Sequence, residues 1–187
     1  MGLFDNLKNK ISEAANAAAN SFSNKTVEVI FDKLPDTYEE FIALPQAALA
    51  TPFDAAAMTV LALCFYPENK ELSIKMLNYL RGPRPLSEYD KQFIRDRFMD
   101  GDYVARSYFK GATYKNDYIP SEPYTVVGNT NPHSQIDENM IRIFLTSGGA
   151  DSQRYVDLRL AKDGKWYLWE QYILSQIRKP ESENPWA

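Results

Sequence analysis

Residues 52–66, PFDAAAMTVLALCFY, are apolar on nearly every side of a helix, and Asp54 is their only charge. A surface helix shows an apolar stripe and a polar face, so a helix that lacks the polar face has to be covered all round by the rest of its chain. Pro52 and Pro67 bracket the run well short of the ~20 residues that a membrane span requires. The segment therefore predicts a central helix enclosed by other elements. A chain of 187 residues suffices for one domain that buries roughly 70% of its unfolded surface around such a helix.

The enclosing elements follow from patterning. TVEVIF (26–31) alternates β-branched apolar residues with polar ones and reads as a short strand. Thr37 followed by Glu40 is a capping-box signature, which predicts a short helix through Leu44. In ENKELSIKMLNYLR, Leu72, Met76, Leu77 and Leu80 form one stripe that stops at Gly82-Pro83. SEYDKQFIRDRFMDG repeats this format, with Ser87 as cap and Gly101 as stop. From about residue 120 the texture turns to strands, PYTVV, MIRIFLT, RYVDLRLA and KWYLWEQYIL, separated by Gly, Asn and Asp clusters. Asp163-Gly164 predicts a hairpin closed by a type I′ turn with positive φ at both central residues, and TSGGADS predicts the turn before it.

The expected fold class is α+β, with a helical N-terminal half, about 36 to 110, packed on a C-terminal antiparallel sheet, about 120 to 175. One domain spans 26–187. Ahead of it, an arm of residues 1–25 carries an extra N-terminal amphipathic helix, because Phe4, Leu7, Ile11, Ala14 and Ala18 recur at spacings of three and four. Its apolar face is narrow and alanine-rich, so it depends on a partner surface for stability. Leu3, Phe4, Leu7 and Ile11 are the expected contacts, to another protein or to a second copy. The alternative is a membrane surface, which the three lysines and several asparagines nearby disfavour.

Composition narrows the function classes. A 44% hydrophobic, 25% charged chain lies outside the disordered range. A net charge of −4 excludes a general nucleic-acid binder, so no nucleic-acid partner is expected. The lone Cys64 lies inside the apolar run and reads as a buried, inert thiol, and no secretory or myristoylation motif opens the chain, which together predict a cytoplasmic protein.

Catalytic motifs are scarce. His133 is the only histidine and lies in the loop-like NTNPHSQ, and no G-x-S-x-G occurs. One Cys and one His cannot complete a zinc site. Asp96, Asp100 and Gly101 match three EF-hand positions, but Phe98 and Ser107 occupy two others, so a helix stop is favoured. SGGAD lacks the spacing of a phosphate loop. No metal and no cofactor are expected.

Two stretches remain as candidates. Residues 81–118 hold eight Lys or Arg against six acids in an otherwise acidic chain. Arg81, Arg84, Arg95 and Arg106 offer planar forks to a phosphate or carboxylate, with Tyr103 and Tyr108 available to stack. Ion pairs with Asp96, Asp100 and Asp102 are the competing reading. In KDGKWYLWEQY, strand alternation puts Trp166, Leu168 and Glu170 on one face and Tyr167, Trp169 and Gln171 on the other. A carboxylate on an apolar aromatic face would titrate high, which makes Glu170 a candidate acid or base of a hydrolase, with Trp166 and Trp169 as stacking residues. Packing of both faces is the competing reading, with Trp186 of the tail docked on its own domain over the second.

The long stretch from LPQAALATPFDAAAM through GATYKNDYIPSEPYT, with SGGADS, WYLWEQY and IRKPESENPWA downstream, resembles an uncharacterised bacterial domain family associated with Gram-positive gut anaerobes. The resemblance covers about 35–187. It implies a bacterial cytoplasmic protein of unknown function and brings no activity, ligand or site residue. The expected function is a non-enzymatic binding or protein-interaction module. The alternatives are a hydrolase-type enzyme around Glu170 and a peripheral membrane protein attached through the arm.

Overall fold

In a computed structural model, which describes residues 24–186, the apolar run forms a helix over Pro52–Cys64, begun by Thr51, whose hydroxyl accepts from Asp54 N. In chain order the elements are β1 (Thr26–Phe31), α1 (Tyr38–Ala43), α2 (Pro52–Cys64), α3 (Lys70–Arg81), α4 (Glu88–Arg97), β2 (Tyr124–Asn129), β3 (Gln135–Asp137), β4 (Met140–Leu145), β5 (Arg154–Leu160) and β6 (Trp166–Gln171). The class is α+β. The strands make one antiparallel sheet in the order β1-β2-β4-β5-β6, with β3 also paired to β4.

Enclosure of α2 is what the absence of a polar face demands. Phe53 and every residue from Ala55 to Leu63 are buried, and α2 packs on α3, on the sheet and on the 3-10 turns around it. Its one polar interior group, the Thr59 hydroxyl, donates to Ala55 O at 2.8 Å, so that no hydrogen-bonding capacity is stranded. Cys64 closes the helix as a free thiol; the residue is partly accessible, but desolvation of its sulfur pushes the pKa up to about 12. No helix among the described residues is long and apolar enough to cross a membrane.

Local chemistry sets the helix boundaries. Thr37 caps α1 by accepting from Glu40 N at 3.2 Å, but the Glu40 carboxylate turns to Asp36 N, so only half of the capping box forms. Ser87 and Asp90 complete a full box at α4. A 3-10 turn over Phe98–Asp100 extends α4 towards Gly101, whose φ of +151° suits glycine.

Two expectations about turns and one about the tail are corrected. Ala161 N donates to Lys165 O, which leaves three loop residues, and only Gly164 has positive φ, +81°. The Asp-Gly hairpin is thus a three-residue loop rather than a two-residue type I′ turn, and the register moves by one. TSGGADS forms no tight turn. Residues 146–153 make a longer loop that reaches back to the helical half, where Gly148 N donates to Ser107 O and Ser147 Oγ to Ser107 Oγ, both at 2.8 Å. A Cβ on Gly148 would lie 1.9 Å from Ala112 O, so the backbones touch there. Trp186, finally, does not dock on the domain and is 92% exposed.

The arm, with Leu3, Phe4, Leu7 and Ile11, lies outside the described residues.

Candidate binding site

The end of α3 meets the edge strand β6, and the contact begins with a glycine. Gly82 has φ +57°, and a Cβ there would stand 2.5 Å from the Tyr167 ring, so the helix closes onto the strand only because this position carries no side chain. Arg81, the last residue of α3, is thereby turned inward and is 3% exposed. Its Nε donates to Arg84 O at 3.0 Å and its Nη1 to Trp169 O at 3.1 Å. Among the described residues Nη2 has no hydrogen-bond partner, and it faces Asp90 Oδ2 at 3.6 Å. Burial pulls the Arg81 pKa below its ordinary value, against the opposing pull of Asp90.

Arg84 reinforces the same junction from outside. Its Nη1 shares Trp169 O at 3.0 Å, its Nη2 holds Glu170 Oε1 at 3.0 Å, and its guanidinium lies 4.3 Å from the Trp169 ring centre. Arg159 of β5 lies 4.8 Å from the same ring. These donors, with the bond from Trp166 N to Leu49 O at 2.9 Å, occupy the outer edge of β6, which would otherwise offer unpaired groups to another chain.

Between α3, α4 and β6 opens a cleft of about 210 Å³, lined by Leu77, Leu86, Phe93 and Leu168 on its apolar walls and by Asp90 and Glu170 among its polar groups. Tyr89, 78% exposed, and Tyr172, 43% exposed, stand at its lips. Asp90 Oδ2 accepts from Ser87 N at 2.9 Å and from Ser87 Oγ at 2.8 Å. Desolvation would raise the Asp90 pKa, but the Ser87 bonds and the Arg81 and Arg84 charges outweigh it and hold the carboxyl below its usual range. Both carboxylates of the cleft are therefore bound to cations or to backbone, and its accessible surface is chiefly apolar.

The candidates from the sequence divide. Arg81, Arg84, Trp169 and Glu170 come together here. Glu170 leaves the face of Trp166 and Leu168, because an irregularity between Asp157 and Leu158 skips Trp169 and sets Glu170 opposite Asp157. Trp166 is buried beneath the strand's other end. Tyr103 and Tyr108 are a correction: both are core residues, Tyr103 stacked on Tyr118 at 5.2 Å and Tyr108 donating its hydroxyl to Ile173 O at 2.6 Å, so neither can reach a ligand. Arg106 is paired with Asp102 at 3.4 Å, and Arg95 lies on the other side of α4 beside Asp96 at 3.8 Å. Asp90, Arg159, Tyr89 and Tyr172 were not among the candidates. Only Asp90 carried a signal, as the third residue after the Ser87 cap.

The family model that matches this chain, over residues 33–181, is described as Domain of unknown function (DUF6935). The chain belongs to that family. No curated protein and no solved structure matches it. The matched span holds the whole cleft, whereas β1 precedes it and Trp186 follows it. Membership names no activity, so function rests on the geometry.

Proposed function

We propose that this is a non-enzymatic interaction module, which takes an apolar or aromatic side chain of a protein partner into the cleft between α3, α4 and β6. One observation carries the reading: the cleft's charged groups are already engaged with one another, while its walls are apolar and two tyrosines stand exposed at its lips. A hydrolase needs a carboxylate free to reach a substrate, whereas Asp90 is bonded to Ser87 and Glu170 is paired with Arg84. The test is a titration of labelled protein with N-acetyl-tryptophanamide and N-acetyl-leucinamide, followed by amide NMR shifts. Shifts confined to residues around Leu77, Phe93 and Leu168, and lost in Phe93→Asp, support the reading; scattered shifts or none up to solubility overturn it. Hydrolysis of an ester or glycoside probe that disappears in Glu170→Gln would install the enzyme reading instead.

The apolar stripe Leu3, Phe4, Leu7 and Ile11 supplies a second protein contact in this proposal, and the lone free thiol supports a cytoplasmic setting. Removal of residues 1–23 then lowers the mass seen by light scattering. Arm-dependent sedimentation with anionic liposomes would assign the arm to membranes.

A further inference from the structure

Arg81 and Leu168 line the cleft and also line a second pocket, of about 150 Å³, between the turn that follows α3 and the β5–β6 hairpin. Pro83, Leu160, Ala161 and Trp169 make its walls apolar. Three arginines, Arg81, Arg84 and Arg159, border it, and no acid does.

Two of the three are answered from outside the pocket, Arg81 by Asp90 at 3.6 Å and Arg84 by Glu170 at 3.0 Å. Arg159 is not. Its guanidinium lies 4.8 Å from the Trp169 ring centre and, among the described residues, makes no hydrogen bond and no ion pair, so its five N–H donors stay open. The neighbouring strands bring it no counter-ion, since Met140 of β4 and Tyr167 of β6 stand opposite it. Acids close to it along the chain are engaged elsewhere. Asp157, two residues earlier in β5, is held by Arg142 through bonds of 2.7 and 2.8 Å, and Asp163 of the hairpin loop accepts from the Tyr167 hydroxyl at 2.7 Å and from Lys165 N at 3.1 Å.

What is left over is one positive charge, in a rigid fork of donors, beside an apolar pocket. Such a fork matches the two oxygens of a carboxylate, and a single unanswered charge matches a monoanion. We infer that this pocket binds a monocarboxylate with a short branched alkyl chain, its carboxylate on the Arg159 fork beside Trp169 and its chain against Pro83, Leu160 and Ala161. The C-terminal leucine of a peptide and a free branched-chain fatty acid share that chemistry. The inference stands apart from the cleft reading, which concerns neutral side chains on the other side of Arg81.

Amide and arginine Nε–H NMR shifts of the labelled full-length chain test it, with N-acetyl-leucine, its neutral amide N-acetyl-leucinamide, 4-methylpentanoate and inorganic phosphate as probes. N-acetyl-leucine shifts residues around Leu160, Ala161 and Trp169 together with Arg159 Nε–H, and the amide and phosphate bind there at least about tenfold more weakly. Arg159→Ala, an exposed substitution, lowers the affinity for N-acetyl-leucine by a similar factor, and Arg159→Lys, which keeps the charge but not the fork, restores only part of it. The fourth probe, N-acetyl-leucine without its acetamido group, separates the sources: equal affinity assigns the site to a free acid, and weaker affinity assigns it to a peptide C-terminus. Equal binding of acid and amide at these residues overturns the inference, as does equal binding of phosphate, an affinity indifferent to Arg159→Ala, or no shift there up to solubility. Shifts of the amide around Leu77 and Phe93 report on the cleft alone and leave this result unchanged.

Discussion

Tyr103, Tyr108 and Tyr118 lie in the core, whereas Trp169 lies at the sheet edge under two arginines, although both groups come from stretches in which aromatic and charged residues alternate. The acceptors they serve are alike. Tyr108 donates to Ile173 O and Tyr118 to Arg178 O, both at 2.6 Å, and Arg81 and Arg84 donate to Trp169 O. In each case a carbonyl of the last third of the chain, outside any ladder, draws a donor from the preceding part, because a buried backbone group has to be paired. The difference lies in what can be dehydrated. A neutral phenol can be taken into the core, while a guanidinium is tolerated only where carbonyls and a carboxylate surround it near the surface.

That contrast breaks most severely at Arg81. Arg81→Leu deletes two donated bonds and leaves Asp90 without its buried cation, so it should destabilise the fold by about 3 kcal/mol, whereas Arg84→Leu, half-exposed, should cost no more than about 1 kcal/mol. Urea unfolding of the two variants measures the difference; equal losses would mean that burial does not separate the two arginines.

Tyr108→Phe comes next. It removes one hydroxyl from a packed site and leaves Ile173 O without that donor, a loss of about 1.5 kcal/mol by the same measurement. Tyr118→Phe should lose less, since its ring is equally buried but its acceptor belongs to the exposed Arg178 rather than to a buried residue such as Ile173. Burial raises both phenols, Tyr118 to about 12, so neither ionises in ordinary buffers and the hydroxyls stay donors.

How much of this was legible in the sequence depends on whether a feature is local. The enclosure of α2 followed from a run without a polar face, and the caps at Thr37 and Ser87 followed from spacing. β3 was not foreseen because Gln135–Asp137 is three exposed residues with no alternation to read. The 3-10 turns between Phe98 and Asn116 escaped because their apolar residues keep no single period. In the site, Arg84, Trp169 and Glu170 were named separately, but their meeting depends on pairing across some 85 positions and on an irregularity that reverses the face of Glu170. Tyr103 and Tyr108 were misplaced for the same reason, because alternation with arginine looks the same for a surface platform as for a core.

A pH series sharpens the comparison from the side of the carboxylates. The Asp90 pKa is depressed in the folded state, so the stabilisation is present above the unfolded value near 3.8 and is lost as pH falls through the lower, folded value. The stability gap between the parent chain and Asp90→Asn should be constant at neutral pH and should shrink below about pH 4. The gap between the parent and Tyr108→Phe should not change over that range, because a phenol does not titrate there. A gap for Asp90→Asn that widened in acid would reverse the assigned direction of the shift.

The smallest effect concerns the Trp169 ring itself. Arg159 is exposed and reaches the ring at 4.8 Å without holding the carbonyl, so Arg159→Ala should cost only about 0.5 kcal/mol, the scale of an exposed cation–π contact. Arg84 touches both the ring and the carbonyl, and its removal leaves the indole freer to turn. If ring and carbonyl are held as one unit, Arg84→Ala and Arg159→Ala will be non-additive in a double-mutant cycle, with a coupling of about 0.5 kcal/mol. If they add within error, Arg159 is a bystander at the ring, and the edge of β6 is secured through the Trp169 carbonyl alone, in the same manner as the buried tyrosines secure Ile173 and Arg178.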